Sequence, residues 1–142
     1  MSDKVIVLLA FIWLGAISAI SMEAKVKFNA ELVDLRIGLD VGRTVFAAFD
    51  IFQWGLMMLL LIAAFSSQSQ KNIIFTAGIF VIFAYQSFIL LPTLNHLASN
   101  YINYAIVEKS SVHLVYIGFE LLKATALLTI GLLTMQPKES YS

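Results

Sequence analysis

The chain has no cysteine. That excludes disulfides, thiolate nucleophiles, cysteine-based zinc sites, iron–sulfur clusters and any dithiol redox cycle. Charge is scarce as well. Asp, Glu, Lys and Arg make up 13% of the 142 residues, against about a quarter in a soluble domain. Acidic and basic residues balance, and no basic face interleaves with aromatics, so nucleic acid is not an expected partner. Histidine is limited to His96 and His113, with no His-x-x-x-His or Glu-x-x-His spacing. No metal or haem site is expected, and no cofactor is implied. There is no internal repeat and no low-complexity stretch.

What is present is apolar. Hydrophobic residues make up 60% of the chain. They fall in four blocks, each near the roughly 20 residues that a membrane helix needs. The pattern predicts helices over 5–22, 44–66, 72–91 and 112–135. The fold class is therefore all-α: a single-domain, integral-membrane, antiparallel four-helix bundle, multi-pass in the cell membrane. The first block follows Met1-Ser-Asp-Lys4 and is long for a signal-peptide core, so it reads as a retained helix. The polar stretch Ser67-Gln-Ser-Gln-Lys71 is a tight turn that makes helices two and three neighbours. Residues 23–43 read as a long first loop. Within it, Glu31 to Gly42 intersperse apolar and charged residues, as in a short amphipathic segment lying in the membrane interface. Residues 92–111 read as another long loop, opened by Pro92 and holding His96, Tyr101, Tyr104, Glu108 and Lys109. Both long loops fall on one side of the membrane. That side carries Lys25, Lys27, Arg36, Arg43 and Lys109, against Lys4, Lys71 and Lys138 on the other. The positive-inside rule then places the long loops in the cytoplasm. Gly15 and Ala19 have small-xxx-small spacing, which composition alone explains.

Chemistry concentrates in the fourth block. Glu120 and Lys123 lie inside an apolar run, where a charge costs about 2.5–3.5 kcal/mol on insertion scales. His113, Tyr116, Glu120 and Lys123 stand at i, i+3, i+7 and i+10. At roughly 100° per residue they share an arc of about 80°. Leu114, Gly118, Leu121, Leu122 and Leu132 form the opposite, lipid-suited face. Helix two repeats the pattern with Arg43, Phe46, Asp50, Gln53 and Met57. Asp50 lies about 10 Å deeper than Arg43 by helical rise. Glu23 closes helix one, and Tyr85 and Gln86 sit low on helix three. Because helices alternate in direction, these residues form a layer under the long-loop surface. The other half, including 58–62, 73–80 and 127–133, is almost wholly apolar. The pattern predicts a cavity open to one side rather than a channel. Its expected lining is Glu23, Arg43, Asp50, His113, Tyr116, Glu120 and Lys123.

Two roles suit such a layer. In one, the charges pair with each other across the bundle, Glu120 and Lys123 with Asp50 or Arg43, and fix helix register. In the other they bind or pass a small polar or amphiphilic ligand such as a lipid or quinone, with a polar or zwitterionic head in the layer and an apolar tail in the dry half. Membrane lipids are the expected partners, with a membrane-protein partner or homo-oligomer also open. An accessory subunit of a larger membrane complex is the second reading. A third is a membrane enzyme on a lipid-like substrate, with His113 or Glu120 as base and Lys123 or Arg43 as anion stabiliser. The spacing dictates no reaction.

The stretches Trp13 to Phe28, Ile37 to Asp50, Leu90 to Ser99 and Ser110 to Lys123 together resemble a group of small, uncharacterised bacterial four-helix membrane proteins. The features that carry the likeness are Glu23-x-x-x-Lys27-Phe28, Gly42-Arg43 and Ser111-x-His113-x-x-Tyr116-x-x-x-Glu120-x-x-Lys123. The group often has a proline where this chain has Lys25, which alters the expected bend after helix one. The resemblance implies the four-helix fold and a bacterial inner-membrane setting. It implies no activity.

Overall fold

The computed structural model describes residues 1–105 and 110–136, and among them no strand occurs. Five α-helices follow one another: α1 (Ser2–Val26), α2 (Leu35–Ser67), α3 (Gln70–Tyr85), α4 (Leu91–Tyr104) and α5 (Val112–Met135). A 3₁₀ turn (Lys27–Asn29) follows α1, and a π-turn (Gln86–Leu90) joins α3 to α4. Four stretches are long and apolar enough to cross a membrane: Ser2–Asn29, Leu35–Ser67, Gln70–Tyr104 and Val112–Met135. This is the helix content of a multi-pass membrane protein.

The fourth predicted span matches α5 in full, and the turn at 67–71 lies where expected. Gln68 closes α2 in the left-handed conformation (φ 52°). The Ser67 hydroxyl accepts from the Ser69 amide at 3.3 Å.

The two long loops are largely helix, which corrects the expected architecture. α2 begins at Leu35 rather than near 44, because Asp34 caps it. Its backbone is extended (ψ 173°), and its carboxylate accepts from the Ile37 amide at 2.8 Å. That satisfies one of the orphan donors of a first helical turn. The Glu31–Gly42 stretch is therefore not a separate interfacial segment. Most of it forms the first turns of a 33-residue helix, roughly 50 Å long and longer than a bilayer core needs. Residues 92–111 are likewise mostly α4. Pro92 falls in its first turn, where a missing N–H is tolerated. The π-turn ahead of it carries the chain through, with the Leu91 amide donating to the Gln86 carbonyl one residue further back than usual. His96, Tyr101 and Tyr104 accordingly lie on a helix. Glu108 of the expected loop, and Lys109 and Lys138 of the charge balance, lie outside the described residues.

α1 packs on α5 and α2, and α3 on the other flank of the same two helices. Ile6, Trp13, Met57, Leu60, Ile79, Phe83 and Leu127 are wholly buried between them. A Cβ at Gly131 would stand 3.3 Å from the Phe11 ring and 3.6 Å from the Ala10 methyl, so the glycine permits the close approach of α1 and α5. Gly15 touches nothing in the chain within that range and plays no such part. Leu8, Phe65, Val81 and Leu121 face outward, as lipid-facing residues do.

Polar contacts at the two ends fix which termini meet. The Asn72 amide donates to the Ser67 hydroxyl (3.2 Å) and to Asp3 (3.5 Å), and it accepts from Thr134 (3.1 Å). One end thus gathers the start of α1, the end of α2, the start of α3 and the end of α5. At the other end Arg43 of α2 donates to Ser99 of α4 at 2.9 Å. Arg36 donates there to the Ile102 carbonyl.

Candidate functional site

At this second end lies a cavity of about 550 Å³. Its walls are the end of α1 with the turn after it, the start of α2, the first turns of α4 and the start of α5. Exposed Lys25 and His113 mark its outer part, and buried Ile17 and Phe49 its inner part. Apolar side chains dominate the lining. Lys25, Lys27, Arg43, Asn95, Tyr116 and Glu120 are its main polar groups.

Of the seven residues expected to line a cavity, four do: Arg43, His113, Tyr116 and Glu120. Glu23 stands beside it, 3.5 Å from the Lys27 ammonium on the next helical turn. Asp50 and Lys123 lie behind its floor. The expected cross-bundle pairing is also different. Arg43 does not meet Asp50. It turns outward to Asp40 (2.8 Å) and Ser99, since an arginine near a helix start reaches back toward that end.

The buried layer is held by neutral residues that grip the charges. Lys123 has no exposed surface. Its ammonium is 3.1 Å from Glu120 Oε2 and donates to Gln53 Oε1 at 2.5 Å. It also lies 5.7 Å from the Trp13 ring centre and 5.2 Å from that of Phe83. Aromatic faces stabilise a desolvated cation. Gln53 Oε1 accepts from Trp13 Nε1 as well, at 3.0 Å. Gln86 Nε2 donates to Glu120 Oε2 at 2.7 Å. The neighbouring Ser87 donates to Asp50 at 2.8 Å and accepts from Trp54 at 3.0 Å.

Gln86 and Ser87 are consecutive, yet both are buried and grip carboxylates on different helices, α5 and α2. Ordinary helical spacing would turn them about 100° apart. Here they open the π-turn, which is a common device at functional sites. Glu120 is left half-satisfied. Its Oε2 has two partners, whereas Oε1 is buried and accepts no hydrogen bond among the described residues. Tyr116 completes this wall, packed edge-on against Phe46 at 5.8 Å.

The outer wall was not anticipated. Gly38 and Gly42 lie one turn apart on α2, both buried, and the turn after α1 rests on them. A Cβ at Gly38 would run into the Phe28 ring, and one at Gly42 would come within 2.7 Å of the Lys27 ammonium. The signal was present as Gly38-x-x-x-Gly42 just after an Asp cap. It was masked by assigning that stretch to a loop. Phe28 is 44% exposed and has room to swing. Gly38→Ala is therefore expected to displace the ring and leave the fold intact. The stability change should stay within about 1 kcal/mol, and a single thiol placed at Ala98 in the cavity should label faster.

The dry half holds no extension of the cavity. Leu60, Ile79, Leu127 and Ile130 fill it with almost no exposed surface.

No family model, curated protein or solved structure matches this chain.

Proposed function

We propose that the protein is a small membrane-embedded ligand-binding protein. In this reading the four spans cross a bacterial inner membrane as an antiparallel bundle, in the manner of the small bacterial four-helix group that the sequence resembles. The cavity opens to one side and receives the polar part of a small amphiphile. The observation that carries this reading is the cavity itself, lined mainly by apolar side chains, with Glu120 in its inner wall and one Glu120 oxygen without a partner among the described residues. An intramembrane ionisable residue is by default a functional candidate. A purely structural network would be expected to satisfy both carboxylate oxygens. The contacts that gather alternate helix ends support the antiparallel arrangement.

The lack of cysteine makes a direct test simple, because an introduced thiol is unique. Ala98→Cys, on α4 in the cavity wall, is expected to react with a membrane-impermeant maleimide from one face of oriented vesicles only. Reaction from neither face, or equally from both, counts against a one-sided cavity.

A further inference from the structure

Two features of the cavity constrain its ligand, and they point in opposite electrostatic directions. At the floor stands Glu120, and behind it a second carboxylate, Asp50, and one ammonium, Lys123, complete a buried layer. Arg43 does not make up the difference, since it is engaged by Asp40. The layer is thus one positive charge short, in a setting where unbalanced charge is costly. The group best placed to receive a cation is Glu120, which lines the cavity and whose buried Oε1 lacks a donor.

The outer part is the reverse. Lys25, Lys27 and Arg43 all line it. Lys27 and Arg43 have acidic neighbours, whereas Lys25 is exposed and makes no ion pair among the described residues. The depth between the two parts is modest. His113 at the rim and Glu120 at the floor are seven residues apart, about 10 Å along the helix, and the Glu120 side chain leans back toward the rim.

Resting on the ligand-binding reading above, we propose that the cavity takes an amino-phosphate head group, with a primary ammonium against the Glu120 carboxylate, whose closed-off Oε1 turns toward it, and the phosphate toward Lys25, Lys27 and Arg43. The ammonium supplies the missing charge and the missing donor together. A trimethylammonium group has the charge but no N–H, and a glycerol head has the donor but no charge. The same chemistry belongs to a phosphoethanolamine lipid and to free phosphoethanolamine. The packed dry half leaves no room for acyl chains inside the bundle, so a lipid would keep them in the bilayer.

The test is thermal stabilisation of the intact detergent-solubilised chain. It is titrated with short-chain phosphatidylethanolamine, phosphatidylcholine, phosphatidylglycerol, phosphatidic acid and soluble phosphoethanolamine. Stabilisation by a phosphoethanolamine compound well beyond the other heads is expected. Glu120→Gln should weaken it tenfold or more, about what a charged hydrogen bond contributes. Lys25→Ala, at an exposed position, should weaken it less and leave the unliganded protein unchanged. Response to the lipid but not the soluble compound identifies a membrane source, and the reverse a free one. Equal response to all heads, or to phosphatidylethanolamine and phosphatidylcholine alike, overturns the amine assignment. A Glu120-dependent preference for another head also overturns it but leaves the ligand-binding reading standing. No response to any compound counts against both.

Discussion

Lys123→Met is expected to destabilise the protein by about 3–5 kcal/mol, the usual cost of removing one partner of a buried ion pair. The ammonium has no exposed surface, and its polar partners among the described residues are Glu120 and Gln53. Methionine matches the stem but leaves a carboxylate in the core layer without its cation. Gln86 still donates to Oε2, but a neutral amide does not neutralise the charge. The cost should therefore be recovered in large part by adding Glu120→Gln. The double variant is expected to be more stable than Lys123→Met alone, with a coupling of about 1–3 kcal/mol between the sites. Unfolding by SDS in mixed micelles, followed by far-UV circular dichroism, measures all three. A Lys123→Met variant as stable as the parent would mean that the pair is not buried as described.

Gln53→Leu comes next in expected size, at roughly 3 kcal/mol, because one oxygen serves two donors and one of them is charged. Trp13 Nε1 would lose its acceptor, and the Lys123 ammonium would keep Glu120 alone. Interhelical hydrogen bonds in membrane proteins average only about 0.6 kcal/mol. That figure reflects pairs whose members find other partners. Here Gln53 is itself buried, and the two residues it serves, Trp13 and Lys123, have no exposed surface. The effect has a spectroscopic signature as well. In a Trp54→Phe background the remaining indole is Trp13, and its emission should shift when the hydrogen bond is lost. An unchanged spectrum with unchanged stability would contradict the geometry.

Much of this arrangement was legible from the sequence, for identifiable reasons. Helical periodicity placed Tyr116, Glu120 and Lys123 on one face of α5 and put Leu114, Leu122 and Leu132 on the exposed side. The Glu120–Lys123 pair followed from its i,i+3 spacing. Helix ends were less legible. Asp34 and Pro92 both sit near polar residues, a pattern that reads as loop. In the fold the first caps α2 and the second opens α4. The error had a consequence: with residues 35–43 unassigned to a helix, the glycine seat for Lys27 and Phe28 was invisible.

The cross-helix partners were hidden for a different reason. Periodicity says which residues share a face, not which residues meet across a bundle. Gln53 had been placed on the polar face of α2, yet its role as a shared acceptor depends on Trp13 from α1. Gln86 and Ser87, consecutive at the π-turn, reach two different helices because the α3 stretch packs on both α2 and α5. No helical wheel contains that step. The same limit explains Arg43, which lies on the predicted face but spends its charge on Asp40.

The central claim is that the cavity is occupied by the polar part of an amphiphile, and native mass spectrometry from mild detergent tests it most directly. Ala98→Trp fills the cavity from α4, a helix that contributes no residue to the Glu120–Lys123–Gln53 network. The parent chain is expected to retain one amphiphile per copy, and Ala98→Trp, equally folded, to lose it. A parent that flies bare, or a filled variant that keeps the same adduct, would contradict the account.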